Sequence, residues 1–344
     1  MILLVLSLLF SLSVPASGLE LEAPEVPSQG EALMPSRVDS FGEGLWELVQ
    51  NAINTLHPNL TAAWGICARV ISVAILLSVI GMLRQKTSEP AQFAGTILIC
   101  LILLEQTNVL IQLGMDTVRT MGDYGMLLLS VLTAALAAQG GVTASAALYT
   151  GTVCFSTVLT NLISRILVPM VYMYLVLSVG YCAVGEQLLK KMADFVKGIS
   201  VWCLKTILYV FTGYMTVTGV VSGATDAAAL KAAKLTISGV VPVVGGILSD
   251  ATEAVLVGAG VVRASAGIYG LLAVLAVFLG PFLRIGIQTI LLKLTGAACG
   301  VFAPKQAGEL VERFSAAMGL VLAMTASVCI LLLISTVCFL KGVG

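Results

Sequence analysis

The residues best suited to chemistry in this sequence are a few polar and charged side chains inside long apolar segments. The stretch over residues 239–267 contains a proline, a glycine pair and three charged residues: Pro242, Gly245, Gly246, Asp250, Glu253 and Arg263. A charged side chain at the centre of a bilayer costs about 2.5–3.5 kcal/mol, and non-helical backbone survives there only under a cover of protein or water. The stretch is therefore expected to be buried among helices or to line a cavity. A loop at the membrane surface between two ordinary spans is the alternative.

Two carboxylates of this stretch lie one helical turn apart, at Asp250 and Glu253. Such a pair would suit a proton or cation relay. The run Ser249-Asp-Ala-Thr-Glu also resembles a capping box with acids in the first turn, where the helix dipole favours negative charge, and we favour this second interpretation. Glu105, in another apolar segment, is a further candidate, facing either other helices or the solvated boundary of the membrane.

Signatures of the common catalytic and cofactor sites do not occur in the sequence. No Gly-x-x-x-x-Gly-Lys-Ser/Thr motif is present, and the single histidine, His57, forms neither a metal motif nor a Ser/His pair. The eight cysteines lie in apolar segments without a Cys-x-x-Cys motif, as small buried hydrophobic residues do. The sequence therefore predicts a protein that is not an enzyme and takes no cofactor or metal.

The composition predicts an all-α polytopic membrane protein. Hydrophobic residues make up 58% of the chain and charged residues only 10%, against roughly 25% charged in soluble domains. The net charge of zero gives no indication of nucleic acid binding. We expect six or seven transmembrane helices together with Gly-rich broken or re-entrant hairpins.

Three regions are predicted along the chain. Residues 1–17 have the short apolar core and small residues of a signal peptide, although no Lys or Arg precedes that core, so an uncleaved anchor is the alternative. Residues 18–62 form an acidic extracytoplasmic segment with a short amphipathic helix on the outer membrane surface or on the spans. Residues 63–344 form the polytopic transmembrane domain.

Ordinary spans are predicted at residues 64–83, 93–113, 166–184, 200–221, 268–294 and 314–340. Two further runs, residues 124–138 and 144–159, are short and are separated by Gln139-Gly-Gly, which predicts a re-entrant or tightly packed helical hairpin. By the positive-inside rule, the lysines of residues 186–197 lie on the cytoplasmic side, and Lys341 places the C-terminus there too.

An internal repeat is suggested by the two Gly-bearing regions. Residues 127–150, which lead to Pro169, resemble residues 239–262, which lead to Pro281. The offset is about 112 residues, and paired repeats with interrupted segments are common in transporters.

Several of these runs resemble the stage III sporulation protein AE family. The resemblance is strongest in PVVGGILSDATEAVLVGAGVVRASAGIYGL at residues 242–271. It continues in three further places: GGVTASAALY at residues 140–149, the span start with Asn161, Arg165 and Pro169, and the Lys-bearing helix before Ser200-Val-Trp202. It covers most of the chain from about Trp64 onward.

The resemblance implies a role in endospore formation. Members of this family are large polytopic subunits of a complex in the mother-cell membrane around the forespore, with a secretion-type ATPase and ring-forming proteins as partners. Together these proteins resemble a channel or a secretion-like apparatus. The resemblance supplies no catalytic residues.

Two functions follow as hypotheses. The first is a non-enzymatic membrane component of that apparatus, either a conduit or an anchor, with the lipid bilayer, the other complex proteins and further copies of itself as partners. The second is a stand-alone secondary transporter whose midplane site includes Asp250, Glu253, Arg263 and Glu105, with Pro242, Gly245 and Gly246 at the helix break. The missing motifs argue against a membrane enzyme.

Overall fold

The computed structural model describes residues 24–35, 41–54, 56–83, 88–240 and 245–341, and every regular element among them is helical. The helices in chain order are α1 (Ser28–Glu31), α2 (Phe41–Asn54), α3 (Leu56–Leu83), α4 (Ser88–Ala138), α5 (Val142–Leu162), α6 (Val168–Val184), α7 (Gln187–Val240), α8 (Gly245–Phe302) and α9 (Lys305–Lys341). A π-helical turn, Ile163–Leu167, joins α5 to α6.

Six of the described segments are long and apolar enough to cross a bilayer: Ala63–Ile80, Phe93–Ala138, Val142–Val184, Gln187–Thr218, Ala266–Val301 and Lys305–Leu340. The prediction of an all-α polytopic membrane protein is confirmed. Several helices are longer than a span requires. The 51 residues of α4 extend over about 75 Å, whereas the hydrocarbon core is about 30 Å thick.

Helix α9 is the central element of the bundle. It packs on α8, α4, α6, α7 and α5, and its large side chains, among them Phe314, Leu331 and Phe339, are fully buried. Glycines bring its first turns very close to α8, because a Cβ at Gly308 would lie 3.2 Å from the backbone nitrogen of Gly300. Small residues at such crossings let membrane helices approach to backbone contact.

The prediction of a span at residues 93–113 and a separate short run at residues 124–138 is wrong, because α4 is continuous through both. The charged residues between the two runs are compatible with helix and do not interrupt it. Gly114 and Gly125 lie inside α4 where it meets α9, and a Cβ at either position would overlap a side chain of α9. Close packing against α9 therefore accounts for both glycines.

The predicted hairpin exists, with α4 as its longer arm. The turn occupies Gln139, Gly140 and Gly141, and Gly140 has a φ of 90°, which favours glycine. The Gly141 N–H donates to the Leu136 carbonyl oxygen at 3.1 Å, so the chain reverses directly and α5 packs back along α4.

The amphipathic helix near the N-terminus lies on the spans, which was one of the two predicted positions. Helices α1 and α2 pack on α8, where Leu33, Leu48 and Ala52 bury themselves against Leu272 and Ala276. The outer side of α2 remains exposed at Trp46.

The second Gly-rich region differs from the sequence prediction at the start of its helix. Helix α8 begins at Gly245, so Ser249 lies within the helix and is not its N-cap. The internal repeat stays a prediction.

The extracytoplasmic position of residues 18–62 and the cytoplasmic position of the C-terminus stay predictions. The ion pair between Arg313 and Asp194 places the start of α9 beside the lysine-bearing start of α7.

Candidate functional site

Only part of the site predicted in the Gly-rich stretch, residues 239–267, lies within the described structure. Pro242 lies outside the described residues, and Gly245 and Gly246 are the first two residues of α8. The α8 backbone is helical through Asp250, Glu253 and Arg263, and the side chains of these three residues lie outside the description. Their roles in a conduit or a transport site stay predictions.

The C-terminal end of this stretch is packed among helices. Ala266 is buried, a Cβ at Gly267 would overlap Leu340 of α9, and one at Gly270 would overlap Leu128 of α4. Here the expectation that the stretch is buried among helices agrees with the structure. The two glycines bring α8 close to both neighbours.

Glu105 lies on α4, and its side chain is exposed. It is separate from the described end of the Gly-rich stretch. It is the first of six exposed polar residues that follow one another every three or four positions along α4: Glu105, Asn108, Gln112, Asp116, Arg119 and Asp123. We call this set the polar stripe. Residues at such spacing share one face of a helix. Glu105 is the member of the stripe that was predicted as a candidate site residue, and the spacing of the other five is visible in the sequence.

The neighbouring helices contribute polar groups to the same side of the bundle. The Tyr172 hydroxyl of α6 donates a 2.6 Å hydrogen bond to Oδ1 of Asn108. On α5, Thr157 and Asn161 are exposed, and the Asn161 amide donates to the Thr157 carbonyl oxygen at 2.9 Å. These contacts place polar side chains of three elements next to one another on one outer surface.

A groove of about 300 Å³ lies between α4 and α5 at this surface. It is lined by Arg119, Gly122, Asp123, Met126, Ser156, Thr157, Thr160 and Asn161. Gly122 faces Thr160 across the groove, since a Cβ at Gly122 would lie 3.6 Å from the Thr160 hydroxyl oxygen. The groove offers a guanidinium, a carboxylate, hydroxyls and an amide, so it is suited to water or polar groups rather than lipid chains.

A second polar cluster lies where α9 begins beside the turn between α6 and α7. Arg313 is buried, its Nη1 atom is 3.6 Å from Oδ1 of Asp194, and its guanidinium lies 4.9 Å from the centre of the Tyr181 ring. The Lys190 ammonium is 5.6 Å from the same ring. These contacts join α6, α7 and α9.

Six long apolar helical segments, with α9 at their centre, define a polytopic membrane protein of the all-α class. The chain belongs to the stage III sporulation protein AE family, whose family model matches residues 35–342. The match begins before α2, so it extends the resemblance seen from about Trp64 toward the N-terminus.

A relative from Bacillus subtilis (strain 168), named stage III sporulation protein AE, is 23% identical over 215 residues. The aligned region covers 62% of this chain and 54% of the relative, so the chain spans about half the length of that relative. No solved structure matches the chain.

Proposed function

We propose that the protein is a non-enzymatic integral membrane component of a sporulation channel or secretion-like complex that links the mother cell and the forespore. The observation that carries the proposal is the family match over residues 35–342, which includes all six candidate spans. In this proposal the protein resides in the mother-cell membrane around the forespore. It assembles with the ATPase and ring-forming subunits of the complex and supports late forespore development.

The packing of the bundle bears on how such a component works. The centre of the described bundle is filled by large side chains, including Leu110, Phe314 and Leu331, each with no exposed surface. A water-filled path through that region would require these side chains to separate, at a cost in buried apolar surface. In this proposal a conduit does not run through this packed region of the described chain.

Gene deletion and complementation test this proposal. A strain lacking the gene is expected to grow normally and to form few heat-resistant spores, with arrest after engulfment and restoration by the intact gene. Pull-down of the tagged protein from sporulating cells is expected to recover an ATPase and ring-forming proteins. Normal sporulation of the deletion strain would refute the role.

A second candidate, a stand-alone secondary transporter, is favoured by the α8 backbone, which places Asp250 and Glu253 one turn apart within a continuous helix. Ion- or substrate-coupled uptake by the purified protein in proteoliposomes, abolished by Asp250→Asn, would support it. A folded Asp250→Asn protein with unchanged uptake would rule out the relay.

A further inference from the structure

Helix α8 contains a proline in its interior. Pro281 has no backbone N–H, so it donates no hydrogen bond to the carbonyl oxygen of Val277, and its ring crowds that carbonyl. Gly280, directly before it, is a weak helix former. Sharp bends of long helices are almost always located at such residues. The turn from Val277 to Pro281, which we call the proline turn, is therefore the place at which α8 bends most easily.

The N-terminal helices pack on the proline turn. We call α1, Leu33 and α2 together the strap. A Cβ at Gly30 of α1 would lie 2.8 Å from the backbone nitrogen of Val277 and 3.1 Å from the carbonyl carbon of Ala276. Both are backbone atoms, so a rotamer change cannot relieve the contact. The strap thus touches the backbone of α8 within one turn of Pro281.

The strap shares a small apolar cluster with α8. The buried residues of this cluster come from both partners: Leu33, Leu48, Ala52, Leu272 and Ala276. Leu279 and Leu283 pack against it, one before Pro281 and one after it. The Asn51 side-chain amide of α2 donates to the Leu33 carbonyl oxygen at 3.4 Å, which joins the two parts of the strap. The strap is therefore one unit that contacts α8 on both sides of the proline.

We propose that the strap is a conformational device that holds α8 against bending at Pro281. The arm of α8 before the proline, residues 245–280, carries Asp250, Glu253 and Arg263 and extends over about 54 Å. A bend of about 20° at the proline turn would move the far end of this arm by about 18 Å. When the strap is docked, the arm keeps its direction. When the strap is released, the arm bends at Pro281.

Two further close contacts of the arm yield more easily than the strap. A Cβ at Gly267 would overlap the side chain of Leu340 on α9, and one at Gly270 would overlap the side chain of Leu128 on α4. Both leucines can change rotamer when the arm moves. The contact at Gly30 is with backbone and lies closer to Pro281, so the strap fixes the angle of the arm.

Hydrogen exchange of the purified full-length protein tests the proposal, with mass spectrometry of a peptide that covers residues 268–285. Gly30→Ala is expected to push the strap off α8 and to raise exchange in this peptide about tenfold, the effect of about 1.4 kcal/mol of lost protection. Gly44→Ala is the matched control in the strap. A Cβ there would meet the end of the Leu272 side chain, which can move aside, so exchange is expected to stay as in the native protein.

A second substitution distinguishes support of the proline turn from simple shielding. Pro281→Ala provides an N–H that can donate to the Val277 carbonyl oxygen, so the turn no longer depends on the strap. In a Pro281→Ala background, Gly30→Ala is therefore expected to leave exchange slow. If the strap only shielded the turn from water, Gly30→Ala would raise exchange equally in both backgrounds.

Two results would overturn the proposal: unchanged exchange in Gly30→Ala, and an equal rise with and without Pro281→Ala. General misfolding of Gly30→Ala would be recognised by fast exchange throughout α4 and α9. Leu33→Ala then takes its place, because it removes a buried apolar contact of the strap without a backbone clash. It is expected to raise exchange in residues 268–285, and the same two results would overturn the proposal.

Discussion

Replacement of Gly308 tests the packing between α8 and α9, the two helices with the most extensive mutual contact. A Cβ at this position would lie 3.2 Å from the Gly300 nitrogen and 3.3 Å from the Gly296 carbonyl oxygen. Both are backbone atoms of α8, so no rotamer change relieves the contact, and the helices must separate by a few tenths of an ångström. Overpacking of this kind costs about 1–3 kcal/mol.

The gain in helix propensity offsets part of that cost. Ala is better than Gly in a helix interior by about 0.5–1 kcal/mol, so Gly308→Ala is expected to destabilise the protein by about 0.5–2 kcal/mol in total. Gly319 is the matched control in the same helix, because a Cβ there would meet no atom within 4 Å. Gly319→Ala is therefore expected to stabilise the protein by about 0.5–1 kcal/mol.

Unfolding of the purified protein in detergent, followed by tryptophan fluorescence, measures both variants against the native chain. The opposite signs of the two changes are the decisive result, since a general effect of Ala on helix stability would move both in the same direction. A Gly308→Ala protein as stable as Gly319→Ala would refute the close approach of α8 and α9.

Three further predictions concern polar contacts and the Gly-rich stretch. Thr152→Val removes the 2.8 Å hydrogen bond to the buried Ser335 hydroxyl and is expected to lower the free energy of unfolding by about 1–3 kcal/mol, measured in the same unfolding assay. Tyr172→Phe removes the exposed hydrogen bond to Asn108 and is expected to lower it by less than about 1 kcal/mol. Arg313→Ala is expected to lower the free energy of unfolding more than Asp194→Ala does. Arg313 is buried and packs on Tyr181, whereas the Asp194 side chain is 57% exposed and its ion pair is screened. Equal losses of unfolding free energy in the two variants would contradict this. Single cysteines are introduced across residues 239–267 and treated with an impermeant thiol reagent in intact cells. Labelling is expected to end before position 266, because Ala266 is buried. Labelling of Ala266→Cys would show that the packed end of the stretch is open to water.

Much of the bundle is predictable from the sequence because membrane spans follow directly from apolar length. Residues 64–83 and 166–184 were expected as spans and are helical throughout. The hairpin turn was expected from Gln139-Gly-Gly, and Gly140 does adopt the φ that favours glycine. In each case a local property of the chain, such as hydrophobicity or backbone freedom, decides the outcome.

The continuity of α4 was not predictable in the same way. Asp116, Arg119 and Asp123 interrupt an apolar pattern, which in a membrane protein normally indicates the end of a span. None of these three residues is a strong helix breaker. The helix therefore continues where a neighbouring helix packs along it. Here α9 runs alongside, with Gly114 and Gly125 at the contact. That tertiary support cannot be read from α4 alone.

The candidate site illustrates the same limit. Glu105 was identified as a single charged residue in a span, with other helices or the membrane boundary as its surroundings. Only a continuous α4 places it in register with Gln112, Arg119 and the rest of the polar stripe, on a face that no described helix of the chain covers. The centre of the described bundle, at Phe314 and Leu331, is apolar, and the exposed polar groups of α4 lie at its outer surface. Which of these residues share that surface depends on the continuity of α4, and this continuity depends on tertiary packing that the sequence of α4 alone does not reveal.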